Sequence, residues 1–263
     1  MTELQNQFFV RLNLNKQDTA TFEDLNIIIN AFANEIPFEN LDIISDNTKK
    51  ISKENLQKKI LASSRGGLCY ELNTLLYYFL QDCGFDVQLA LGTVYKSDLE
   101  VWALEEAHIT IILNYDNASY LVDVGIAALV PLIPVPFTGE VVTSKNGEYR
   151  VRRKDTGKGD YVLERRAIAS YDGTNENAEW KVCHAFYTRV IDESTVNEVQ
   201  RKVIEDEKSI FNKGPLTVKL TNCGHVSLTK ESFTRLVHGQ KSKCRITDSQ
   251  YRELLYDIFH IKA

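Results

Sequence analysis

The sequence predicts an α+β protein with an N-terminal helical domain, a central antiparallel β-barrel and a C-terminal α/β lid. Two observations predict it. Apolar residues recur three and four apart up to about residue 83, then fall into short alternating or continuous apolar runs up to about 190. The remainder mixes both patterns, so the expected domains are 1–83, 84–190 and 191–263. A chain of 263 residues can bury a sizeable core. Its 43% apolar and 25% charged residues argue against disorder or a fibrous repeat.

In the first region, Phe22, Leu25, Ile28, Ile29 and Phe32 share one helix face, as do Leu56, Ile60 and Leu61. A further helix is expected to begin near Cys69, run through Leu72, Leu75, Leu76, Phe79 and Leu80, and stop at Gly84, where a residue without Cβ caps the end. In the second region, VQLALGTVY, HITIILNY, SYLVDVG, EYRVRR, YVLERR and WKVCHAFY read as strands bounded by turn residues. HITIILNY and SYLVDVG are separated only by Asp116, Asn117 and Ala118, the loop of a hairpin, which places His108 and Asp123 on adjacent strands. The last region holds a charged helix over about 194–207, strands around LTVKL and HVSLT, and a final helix from about Thr247 to Phe259, led by Thr247 and Asp248.

A net charge of -5 gives no reason to bind nucleic acid. The basic clusters at Lys49 and Lys50, Arg150 to Lys154, and Arg165 and Arg166 read as solvated faces. The stretch from Leu121 to Phe137 contains Asp123 and prolines at 131, 134 and 136, so a membrane-spanning helix is not expected there. The N-terminal MTELQNQFFVRLNL lacks the features of a secretory signal, and five cysteines without zinc-site spacing read as reduced thiols. The expectation is a cytoplasmic protein without a bound metal. Its oligomeric state is not readable from the sequence.

Chemistry concentrates around Cys69. The thiolate is the reactive form of cysteine, and a helix N-terminus or an adjacent imidazolium favours it. The glycines of Arg65-Gly66-Gly67-Leu68-Cys69 are expected to leave free amides near the sulfur, where an oxyanion could be held. Cys83 lies about 21 Å further along the same helix at 1.5 Å per residue, too far to pair with Cys69. A lone buried cysteine is commonly only a small apolar residue. Its combination with His108 and Asp123 across a hairpin supplies nucleophile, base and orienting carboxylate. His184, His225, His238 and His260 lack such a partner and are read as structural or surface residues. Glu39 and Arg65 are ionisable groups in apolar surroundings and are expected to form a structural salt bridge.

These residues resemble the arylamine N-acetyltransferases: PFENL at 37–41, RGGLCYELN at 65–73, the histidine of AHIT, and LVDVG at 121–125. The resemblance implies a papain-like Cys-His-Asp arrangement. It also implies two-step acetyl transfer from acetyl-CoA, a co-substrate and not a resident cofactor, to an arylamine or arylhydrazine. Cys69 would be the nucleophile, His108 the base and then acid, and Asp123 the orienting residue. Hydrolysis or amide synthesis on the same scaffold, and a silent coenzyme A-binding module, are the alternatives. Thr110 and Gly125 match positions lining the family's cleft. The family commonly continues Asp-x-Gly-Phe-Gly, whereas this chain has Asp123-Val124-Gly125-Ile126-Ala127, so Ile126 and Ala127 alter the pocket. No glycine-rich phosphate loop is present. Lys213 and Lys219 are candidates for coenzyme phosphates, though more simply solvated side chains.

Overall fold

The first helix forms where the sequence both caps it and gives it an apolar face. In the computed structural model, which describes residues 1–16, 19–173 and 178–262, α1 (Glu3–Arg11) starts at Thr2 with a reciprocal capping box to Gln5. α2 (Leu25–Glu35) buries Leu25, Ile28, Ile29 and Phe32 of the predicted stripe, whereas half-buried Phe22 lies in the turn before the helix. A two-residue strand, β1 (Phe38–Glu39), interrupts the helical run before α3 (Leu41–Ile44). α4 (Lys53–Leu56) widens into a π-turn over Gln57–Ala62, and α5 (Cys69–Asp82) follows. Phe8 of α1 stacks on Phe79 of α5 with ring centroids 3.9 Å apart. The chain leaves α5 through Gly84 at φ 86°, the glycine stop read from the sequence.

β2 (Asp86–Lys96), β3 (Val101–Trp102), β4 (His108–Tyr115), β5 (Ala118–Val122), β6 (Val135–Pro136), β7 (Val142–Ser144), β8 (Gly147–Arg153) and β9 (Tyr161–Arg166) come next. The short helix α6 (Ala169–Asp172) precedes β10 (Trp180–Phe186). Among the described residues these strands form one antiparallel sheet in the order β6-β5-β4-β2-β10-β9-β8-β7, with β3 beside β2. β6 returns against β8, so the sheet nearly closes into a barrel. Ala90, Ile112, Leu121, Tyr149, Val151, Leu163 and Phe186 pack together in one core. Alternate residues of β2 and β4, including Leu89, Leu91, Ile109 and Ile111, join the helical core instead, where α5 lies across both strands. β2 and β4 are thus buried on both faces, which is why they read as nearly continuous apolar runs.

α7 (Glu193–Glu205) leads to β11 (Leu216–Thr221), β12 (Gly224–Thr229), β13 (Ser232–Val237), β14 (Gln240–Arg245) and α8 (Asp248–Asp257). Two features depart from the expected division of the chain. β1, from the N-terminal segment, pairs with β11 (Phe38↔Val218, Glu39↔Thr217), so first and last segments share a sheet. α7 buries Val196, Val199 and Val203 in the core that α5 occupies. Two residues of strand are too short to leave a period in the sequence. No helix among the described residues is long and apolar enough to cross a membrane.

Candidate active site

Cys69 is the first residue of α5 and is 6% exposed, with its thiol 3.6 Å from the Ala107 carbonyl oxygen. The two preceding glycines act differently from expectation. Their amides are engaged: Gly66 N–H donates to Glu39 Oε1 at 3.2 Å and Gly67 N–H to the Pro37 carbonyl at 3.3 Å. Leu68 N–H donates to Glu71 Oε2 at 3.0 Å. The glycines are required by close packing, since a Cβ on Gly66 would lie 1.9 Å from the Pro37 carbonyl oxygen. Among the described residues, the Cys69 and Tyr70 amides of the first helical turn have no protein acceptor.

The predicted hairpin forms, with Ile111 opposite Val122 and Tyr115 opposite Ala118. β4 begins and β5 finishes at the same barrel end, so His108 and Asp123 meet there: His108 Nε2 donates to Asp123 Oδ2 at 2.6 Å. Asp123 Oδ1 accepts from Asn73 Nδ2 at 3.0 Å and from the Gly125 amide at 2.7 Å. Asn73 sits one turn along α5 from Cys69. It also donates to the Ile109 carbonyl at 2.6 Å and accepts from the Val124 amide at 2.9 Å. One buried amide therefore ties the nucleophile's helix, the His strand and the Asp turn together. The sequence reading missed this role, although Asn73 closes the RGGLCYELN motif.

His108 and Asp123 are 2% and 0% exposed, so their charges interact in a water-poor setting. Burial alone would lower the His108 value, but the charge and hydrogen bond of Asp123, with a contribution from Cys69, outweigh it and raise it to about 10. Burial likewise opposes ionisation of Asp123, yet His108, His184 and the Asn73 hydrogen bond bring it down to about 2. The pair is an ion pair near neutral pH.

A cavity of about 530 Å³ opens beside Cys69 and His108, with Phe38, Phe211, Leu216 and Val218 among its lining. Gly125, Ile126 and Ala127 line it as well. Gly125 packs so tightly that a Cβ would lie 2.7 Å from Cys69 Cα and 2.6 Å from Asn73 Nδ2. Ala127 sits at φ 45°, in the left-handed region a glycine adopts without strain. Thr110 does not line the cavity: it is fully buried, its hydroxyl 3.4 Å from the Val122 carbonyl across the hairpin. Exposed Lys213 and half-buried Lys219 also lie away from this lining, where the cations are Lys96 and Lys208. Arg65 Nε donates to the fully buried Glu39 at 2.9 Å, and Arg65 also pairs with Asp42. His184 is one of the four histidines read as structural or surface residues. It is fully buried, and its Nε2 lies 3.7 Å from Asp123 Oδ2.

Residues 21–263 match the sequence profile of an N-acetyltransferase family. The chain belongs to the arylamine N-acetyltransferase family. The probable arylamine N-acetyltransferase 3 of Dictyostelium discoideum is 33% identical, the match covering 99% of this chain and 94% of that one. The Bacillus cereus arylamine N-acetyltransferase (BACCR)NAT3, whose crystal structure reveals a unique Cys-His-Glu catalytic triad, is 48% identical with a TM-score of 0.93 over 100% of both chains. The carboxylate against His108 here is an aspartate. The Mycobacterium marinum arylamine N-acetyltransferase, solved in complex with CoA, is 25% identical with a TM-score of 0.82 over 98% of this chain and 92% of that one. An arylamine N-acetyltransferase fold thus surrounds the Cys69 cavity, and the protein is an acyltransferase.

Proposed function

We propose that the protein moves an acetyl group from acetyl-CoA to the nitrogen of an arylamine or arylhydrazine by a ping-pong mechanism through acetyl-Cys69. The observation that carries this reading is the placement of Cys69 at a helix N-terminus beside an imidazole anchored by a buried carboxylate. The sulfur attacks the thioester carbonyl as the thiolate, with the proton held on His108. The oxyanion develops near the free amides of Cys69 and Tyr70. Collapse breaks the bond to the CoA sulfur, which leaves with the His108 proton. The acceptor amine then attacks the acetyl-cysteine carbonyl, passes a proton to His108 and releases Cys69. Asp123 holds His108 through Nε2, leaving Nδ1 to exchange these protons.

The mostly apolar cavity suits an aromatic acceptor, and Lys96 and Lys208 offer cations to the coenzyme's phosphates. A reducing, cytoplasmic setting suits five unpaired thiols, and detoxification of foreign amines is the physiological role the family suggests. Initial rates measured over a grid of acetyl-CoA and arylamine concentrations test the mechanism. Parallel double-reciprocal lines are expected; intersecting lines would show direct transfer within a ternary complex.

A further inference from the structure

His184 takes no part in these steps, yet it is fully buried and, among the described residues, neither ring nitrogen has a hydrogen-bond partner. Burying an unpartnered polar group is unfavourable, so its position calls for a reason. The sheet order β4-β2-β10 supplies the geometry. His108 stands opposite Gly92 of β2, and His184 of β10 stands opposite Val94. Residues 92 and 94 point to the same face, so both rings lie on one side of the sheet. Gly92 leaves the space between them: a Cβ there would sit 3.4 Å from Cδ2 of each ring. The ring centroids are 4.8 Å apart.

Asp123 completes the picture. Its Oδ1 already accepts two hydrogen bonds, from Asn73 and Gly125, whereas among the described residues Oδ2 accepts only from His108. A carboxylate oxygen can take a second donor. The unused acceptor on Oδ2 and the unpartnered Nε2 of His184 are 3.7 Å apart, a gap that a small ring movement closes.

We infer that His184 is a positioning residue for the transfer reaction, its Nε2–H donating to Asp123 Oδ2 and fixing the carboxylate while the His108 proton moves. The inference rests on the reading of Cys69, His108 and Asp123 as the reacting set. Burial, helped by the His108 charge, brings His184 down to about 3 against the pull of Asp123. It is therefore neutral at working pH and has one N–H to give. When His108 surrenders its proton to the CoA sulfur, Asp123 loses the cation opposite it, and the His184 donor supports the anion through that interval. Among the described residues, the titratable groups acting on this imidazole are Asp123 from the turn after β5 and His108 from β4, with Cys69 of α5 acting on His108. β2 and β9 present Val94 and Leu163, which do not titrate, and neighbouring Cys183 is pushed up to about 12 by burial and stays neutral.

A second donor on Asp123 draws charge away from its bond to His108, so its removal should make His108 hold its proton more tightly. The test is the pH dependence of CoA release in single turnovers with acetyl-CoA alone, for wild type, His184→Phe and His184→Asn. In His184→Phe the alkaline limb should move up by roughly half a unit, with the rate falling about tenfold. His184→Asn, which keeps an N–H donor, should return the limb towards its wild-type position. An unmoved limb in the phenylalanine variant, or an asparagine variant displaced as far, would overturn the inference. If either variant does not fold, nitrogen-15 NMR of the wild-type histidines decides: His184 must carry its proton on Nε2, and an Nδ1–H tautomer rules the donor out. Failure of the wild type to form acetyl-Cys69 would instead strike the catalytic reading itself.

Discussion

At the scale of single residues the site is held by a few buried hydrogen bonds, and Asn73 bears most of them. Asn73→Ala leaves the Asp123 carboxylate, the Ile109 carbonyl and the Val124 amide each short of a partner. A buried group left unsatisfied costs about 1–3 kcal/mol, so urea unfolding should show a loss of at least about 2 kcal/mol. A loss below about 0.5 kcal/mol would mean the clamp is not structural. The His108 and Asp123 shifts give stability a defined pH window. His108 rises from an ordinary 6.5 to about 10, so its contribution is complete below about pH 6.5 and is lost as pH climbs through 10. Asp123 falls from 3.8 to about 2, so its contribution is complete above about pH 4 and is lost on acidification through 2. The urea-midpoint difference between wild type and Asp123→Asn should therefore be greatest between about pH 4 and 6.5 and shrink towards pH 10. A difference that ignores pH would contradict the ion pair. Cys69, His108 and Asp123 were legible because each carries a local signal: a glycine-led helix start, a strand start and a hairpin end. Asn73 and His184 were not, because an asparagine inside a helix and a histidine inside a strand gain meaning only from the register of distant segments.

Among the elements, the turn after β5 combines a close approach at Gly125 with a left-handed residue at Ala127. Ala127 at φ 45° accepts a conformation costing a non-glycine residue roughly 1–2 kcal/mol. Part of that returns in the denatured state when glycine is introduced. Ala127→Gly should raise the thermal midpoint slightly, and Ala127→Val should lower it by several degrees; the reverse order would refute the strain. Combining Ala127→Gly with Ile126→Phe restores an aromatic face to the cavity wall and should change relative rates on anilines and hydrazines. Unchanged ratios would show that this wall does not select the acceptor. The main helices and long strands were readable because each buries a periodic face. β1 was too short to read, and β14 is exposed along its whole length, so it has no apolar alternation to detect. The bulge between Val182 and His184, which helps set where His184 points, leaves no sequence mark either.

Across the whole molecule, charge ties elements together alongside the apolar core. Arg65 bridges Glu39 of β1 and Asp42 of α3, while Lys59 of the π-turn pairs with Asp42 and with Glu71 of α5. Arg65→Met would strand the fully buried Glu39 beside the glycines that shape the start of α5. Breaking a buried pair from one side costs about 3–5 kcal/mol, so unfolding should shift by at least about 3 kcal/mol, and a negligible shift would make the pair incidental. The barrel end and α5 converge on one sulfur, which carries the acetyl group in the proposed mechanism. The most direct test mixes the purified protein with acetyl-CoA in the absence of any acceptor and follows wild type and Cys69→Ala by intact and peptide mass spectrometry. One acetyl group is expected on Cys69 in the wild type, removed by an added arylamine, and none on that position in the variant. A wild type that acetylates the amine without ever carrying the group on Cys69 would contradict that mechanism.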